Sequence, residues 1–335
     1  MALNKKYPTL SPHLFSEKIP VLPTRNGFGD GLVLAAEQDE RIVVLCADLT
    51  ESTRVEAFKK KFPERFIQMG VSEQSLAAIA AGLALAGKIP VIASYAAFSP
   101  GRNWEQIRTT ICLQEMPVKI AGAHSGVSVG PDGATHQMTE DIAIMRVLPN
   151  MTVLAPCDAI ETRKATVAAL QHPGPVYIRF AREGSPVFTS EKTPFEIGKA
   201  QIFRAGDDIA LIACGPLVYE ALLAAKMLEE KGIEARVINA GSIKPLDEHA
   251  ILDAAKACGA IVTVEEAQSA GGLGGAVTEL VCRHFPVPVE RVGLEDVFGQ
   301  SGTPGELLEH YKLTAPSIVK AALQTLKLKK QRRII

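Results

Sequence analysis

The chain has 335 residues, 47% of them hydrophobic and 22% charged, with a formal net charge of −1. That composition describes a globular protein long enough for two domains, and the charge balance argues against nucleic-acid or anionic-membrane partners. The six cysteines (Cys46, Cys112, Cys157, Cys214, Cys258, Cys282) include no C-x-x-C pair. Their scatter argues against a zinc site or a disulfide framework and fits a reducing, cytoplasmic setting; no metal-ligand spacing is visible. Met1 to Pro20 lacks the apolar core of a signal peptide, and the run Leu76 to Gly87 is too short to span a bilayer.

Residues 1–22 are polar and proline-punctuated and read as an arm on the surface or on a partner. Thr24 to Glu37 reads as a helix with Thr24 as N-cap. It contains Gly29-Asp30-Gly31, which resembles a diphosphate loop but sits inside the helical pattern rather than after a strand. Arg41 to Ala47 is a continuous apolar run, the mark of a buried parallel strand, and Asp48 follows at its carboxyl end. Further strands are expected at 66–69, 90–94, 118–123, 152–155 and 176–180, with helices from Glu73, over Asn103 to Leu113 and over Ala159 to Leu170. Residues 188–198 read as a linker. A second strand–helix alternation then runs through 209–213, 217–231, 234–239, 247–258, 260–264 and 289–293. The expected fold is α/β, two α/β domains with mostly parallel sheets: arm 1–22, first domain 23–187, linker 188–198, second domain 199–335. The basic tail Lys327 to Arg333 reads as a solvated helix end.

Three stretches carry chemistry. Gly70 to Gly87 sets Glu73 at the mouth of a helix of small apolar residues, which suits a buried helix at a subunit contact. A carboxyl there loses hydration and can share a proton with a ligand nitrogen. Simple capping by Ser72, with Glu73 complementing the helix dipole, explains the same residues. The loop His124 to Gln137 holds three glycines, a proline, two histidines and Asp132 at one strand end. Its histidines titrate near neutrality and can bond substrate oxygens, although such a loop can also be only a loop. Arg179 and Arg182 close the last strand of the first domain. Either can clamp a phosphate or form a structural ion pair. Gly271 to Gly275 follows a strand but lacks dinucleotide spacing, and close helix–sheet packing explains it better.

With these pieces in place, residues 23–325 resemble the C-terminal half of a transketolase. GVSEQSLAAI (70–79), ASYAAFSPGRNWEQIR (93–108), AGAHSGVSVGPDGATHQ (121–137), VYIRFARE (176–183) and FGQSGTPGELL (298–308) carry the resemblance. The half that holds the cofactor diphosphate has no counterpart here. The resemblance therefore implies the second subunit of a split enzyme, with thiamine diphosphate as cofactor and magnesium ligands on a partner, the N-terminal transketolase subunit. It implies self-association through the pyrimidine-binding domain as an α2β2 assembly, and sugar phosphates of carbohydrate metabolism, as in the pentose phosphate route, as substrates. Glu73 matches the glutamate bonded to the cofactor's aminopyrimidine. Phe98 matches the aromatic stacked on that ring, with Tyr95 as the other choice because the block is offset by one residue. Asp48 matches an aspartate near the cofactor. His124, Asp132 and His136 match substrate contacts, His136 nearest the reacting carbon, and Arg182 matches the grip on the sugar phosphate.

Competing readings are a 1-deoxyxylulose-5-phosphate synthase-like subunit, which lacks a histidine at the place of His124, and a 2-oxo acid dehydrogenase beta-like subunit, which lacks the DG-x-THQ run. Outside this class stand a non-catalytic interaction subunit and a nicotinamide enzyme built on the Gly271 loop.

Overall fold

The computed structural model describes Tyr7 and residues 9–332. In chain order the strands are β1 (Val21–Pro23), β2 (Ile42–Cys46), β3 (Phe66–Gln68), β4 (Ile89–Tyr95), β5 (Lys119–Ala123), β6 (Thr152–Leu154), β7 (Val176–Phe180), β8 (Gly184–Pro186), β9 (Gln201–Arg204), β10 (Ile209–Ala213), β11 (Ala235–Asn239), β12 (Ser242–Lys244), β13 (Ile261–Gln268) and β14 (Val289–Leu294). They form a seven-stranded sheet in the order β12-β6-β7-β5-β4-β2-β3 and a five-stranded sheet in the order β14-β13-β10-β11-β9, besides the short β1–β8 pair. Within the two larger sheets every pairing is parallel except β12 with β6 and β9 with β11. The expected α/β class with mostly parallel sheets is what the molecule adopts. Every residue of β2, β5, β7 and β10 is buried, as strands covered by helices on both faces require.

Two local expectations change. Thr24 does not cap its helix: it is the first residue of Thr24–Gln38, and its hydroxyl accepts from Ala181 N at 2.8 Å. That bond ties the helix start to the chain just after β7. The Gly29-Asp30-Gly31 run lies inside this helix, and its glycines serve packing. A Cβ on Gly31 would stand 2.6 Å from the Arg163 carbonyl oxygen, so helix 24–38 lies closely against helix Ala159–Gln171. The expected helix over 103–113 is a short α-helical turn, Trp104–Gln106, running into a π-helix, Ile107–Cys112.

The arm is not loose where it is described. Tyr7, Leu10 and Leu14 are buried in the core beneath the second sheet, and Leu14 O accepts from Tyr219 Oη at 3.2 Å. Residues 1–6 and 8 of the arm, and Arg333 of the basic tail, lie outside the described residues. The 188–198 segment has no helix or strand, yet the Asp158 carboxylate accepts from Phe188 N, Thr189 N and Thr189 Oγ1. Strand β12, from the second half of the chain, extends the first sheet, so strand pairing ties the second half of the chain to the first sheet. Among the described residues, no helix is long and apolar enough to cross a membrane.

Candidate active site

Parallel neighbours end at the same edge of a sheet, and β2, β4, β5 and β7 deliver their next residues there. Tyr95 ends β4, His124 follows β5, Arg182 follows β7 by one residue more, and Asp48 follows β2. His124 and Asp48 hold left-handed backbone conformations, φ 57° and 60°, which turn the chain sharply off the strand.

The structure gathers four of the expected residues into one aromatic cluster. The Tyr95 ring stacks on His124 at 3.9 Å between centroids and lies 5.9 Å from Phe98. His136 meets Phe98 edge-on at 5.3 Å, and its Nδ1 is 2.9 Å from Thr135 Oγ1. Arg182 donates to Val129 O at 3.0 Å and lies 3.4 Å from Asp132 Oδ1, so it holds the middle of the glycine-rich loop. Asp48 stands apart: its carboxylate accepts from Gln68 Nε2 at 3.1 Å.

Glu73 opens helix Glu73–Leu85 and is 4% exposed. Ser72 holds the N-cap position without capping; its hydroxyl donates back to Met69 O at 3.0 Å. Ser72 therefore does not cap this helix, while Glu73 remains in its first turn. The Glu73 carboxylate accepts from Arg102 Nη1 at 3.2 Å, and the Arg102 guanidinium lies 4.2 Å from the Phe98 ring centroid. That chain of contacts joins Glu73 to the aromatic cluster. An open cleft of about 470 Å³ runs past Val71, Ser72, Glu73, Gln74, Ser75 and Arg102, within the size range of ligand sites.

His124 differs from the sequence expectation. Burial, reinforced by the charges of Arg25 and Arg182, pushes His124 down to about 3. It is a neutral imidazole across the physiological range rather than a group titrating near neutrality. Its Nδ1 is buried without a hydrogen-bond partner in this structure, a group that awaits a ligand atom or water.

The sequence reading missed Arg25 and Arg102. Arg25 donates to Ser52 O at 3.1 Å, and its Nε is buried with no partner. Burial, then the neighbouring charges of Arg54 and Arg182, lower its pKa. Arg25 looked like an ordinary residue of an amphipathic first turn; its only signal was its place in the chain just ahead of the first strand edge. Of the two arginines at the end of β7, the structure separates the roles. Arg179 is fully committed to a buried pair, with Nε 2.9 Å from Asp141 Oδ2, while Arg182 keeps an open face beside the loop.

The Gly271 loop is closed to a phosphate. The buried Glu265 carboxylate accepts from Leu273 N and Gly274 N, each at 2.7 Å. It fills the helix N-terminus that a dinucleotide would need, and the nicotinamide reading fails there.

A buried acid, an aromatic face and two histidines gather near one sheet edge, and the comparisons specify the family. Residues 21–186 match the model of the transketolase pyrimidine binding domain, and residues 198–318 that of the transketolase C-terminal domain. A putative transketolase C-terminal section from Methanocaldococcus jannaschii is 43% identical over 90% of this chain and 96% of its own length. A 6-deoxy-6-sulfo-D-fructose transketolase subunit from Clostridium sp. is 42% identical over 89% of this chain and 92% of its own. A solved split gene transketolase, an inactive beta4 tetramer, superimposes with a TM-score of 0.87 at 46% identity, over 92% of this chain and 99% of that one. The chain belongs to the transketolase family, whose pyrimidine-binding domain serves thiamine diphosphate.

Proposed function

We propose that the chain is the subunit of a split transketolase that supplies the pyrimidine-binding half of the site, for transfer of a two-carbon ketol unit between sugar phosphates. The observation that carries this reading is the convergence of Glu73, Phe98, Tyr95, His124 and His136 near one sheet edge and its adjoining cleft, with the Arg182 charge acting on His124. These residues suit an aminopyrimidine: a buried carboxylate can accept from the ring system, and a flat aromatic face can stack beneath it. When bound, thiamine diphosphate supplies the carbon chemistry through its thiazolium ring. Glu73 holds a proton against the ring nitrogen, and Phe98, rather than Tyr95, supplies the stacking face, because Tyr95 is already covered by His124. Neutral His124 bonds a substrate oxygen, and His136, oriented by Thr135, moves a proton at the reacting carbonyl. Arg182 and Arg25 grip the phosphate while Asp132 orients a hydroxyl. Asp48 acts at the cofactor's margin.

The diphosphate and magnesium ligands come from a partner, the N-terminal transketolase subunit, in a cytoplasmic α2β2 heterotetramer. Self-association uses the first domain, residues 23–187. Helix Glu73–Leu85 leaves Ile79 43% and Leu85 68% exposed in the single chain, an apolar face suited to a second copy. Pentose phosphates are the proposed substrates. The test is to mix this chain with a subunit carrying the diphosphate half and assay ketol transfer. Transfer is expected only in the mixture; transfer by this chain alone, or none in the mixture, contradicts the reading.

A further inference from the structure

Arg102 is the only basic residue lining the Glu73 cleft among the described residues. It is delivered there by a tight turn that needs Gly101, since a Cβ at 101 would meet the Ala97 carbonyl oxygen at 2.0 Å. The neighbour Asn103, fully buried, pins the turn by donating to Glu73 O at 2.9 Å and to Ser99 Oγ at 3.1 Å. The result is a guanidinium 3.2 Å from Glu73 Oε2 and 4.2 Å from the Phe98 centroid. The pair is lopsided: the Arg102 side chain is 53% exposed and that of Glu73 only 4%.

Those two contacts are the ones an aminopyrimidine needs. A guanidinium is flat and stacks on aromatic faces, so it resembles the ring in shape, and its N–H groups satisfy the Glu73 oxygen that would otherwise share a proton with the ring nitrogen. It cannot share Glu73 Oε2 and the Phe98 face with a bound heterocycle. We propose that Arg102 is a displaceable placeholder, satisfying Glu73 in the cofactor-free chain and swinging into solvent when the aminopyrimidine enters. The inference rests on the assignment of Glu73 and Phe98 to the cofactor ring. A buried carboxylate without a partner is costly, and Arg102 removes that cost between cofactor encounters. Cofactor entry then becomes a competition, which lowers the affinity of the chain by itself and leaves the diphosphate grip to tip the balance.

The test uses the full chain and thiamine, which carries the aminopyrimidine without the diphosphate, titrated calorimetrically. Arg102→Met keeps the bulk and removes the charge and donors. Two contacts of the strength of exposed pairs set the scale at about tenfold tighter binding. Arg102→Lys, which keeps the charge but loses the flat fork, is expected between the wild type and Arg102→Met. Equal or weaker binding to Arg102→Met overturns the placeholder role. Glu73→Gln, alone and with Arg102→Met, separates the two claims. Thiamine affinity lowered by Glu73→Gln but unmoved by Arg102→Met overturns the placeholder and keeps the cofactor assignment. Affinity indifferent to Glu73→Gln in both backgrounds, or no binding to any of the five proteins, overturns both.

Discussion

Two glycine-rich loops leave parallel strands in this molecule, one after β5 in the first sheet and one after β13 in the second. Both look like ligand sites by composition. The second is sealed by its own strand: both oxygens of Glu265 are taken by Leu273 N and Gly274 N. The first keeps polar groups in reserve, with His124 Nδ1 and Arg25 Nε buried and unpartnered. Glycines at a strand end permit a close approach; whether the groups offered to a ligand are already taken separates the two loops. The same contrast separates Arg179, spent on Asp141, from Arg182 three residues further on, past the strand's end.

The sharpest way to break this contrast is to remove the reserved cations. Arg25→Ala with Arg182→Ala is expected to raise KM for a phosphorylated aldose about 100-fold in the assembled enzyme, with a smaller change in kcat. That is the scale of losing two charge-assisted contacts. An unchanged KM in steady-state kinetics would move the phosphate grip elsewhere. The sealed loop should respond the opposite way. Glu265→Ala orphans two buried N–H groups and is expected to cost about 2 kcal/mol in denaturant unfolding, with thiamine diphosphate affinity unaltered. Lost affinity would mean the second loop belongs to the site after all.

The last effect is electrostatic and appears only in acid. His124 falls from 6.5 to about 3 on folding, chiefly through burial. The unfolded chain therefore takes up the proton first, so stability from this group is complete above pH 6.5 and declines as pH drops toward 3. By pH 5 the loss is about 2 kcal/mol. His124→Gln should flatten that part of the stability–pH curve, and an unchanged slope would show that His124 protonates freely in the folded chain.

The fold was readable because its central strands are buried on both faces, and the runs 41–47, 118–123 and 176–180 are too apolar for anything else. Short edge elements escaped: β9 and β12 owe their state to pairing with distant strands, which no local pattern announces. At the candidate site, the loop and Glu73 stood out by residue type and the resemblance named their partners. Arg102 lay within a quoted block without drawing notice. Its meaning comes from a fold that brings positions 73, 98 and 102 together. The near-neutral titration expected of His124 fails for the same reason, because burial and the Arg25 charge are tertiary facts.

The most direct test of the central claim follows proton exchange at thiazolium C2 in the complete assembly, by NMR after rapid acid quench. With Glu73→Gln the account predicts exchange slowed by at least about 100-fold while the melting temperature stays close to that of the parent. Exchange at the parental rate in a folded, cofactor-loaded variant would contradict it.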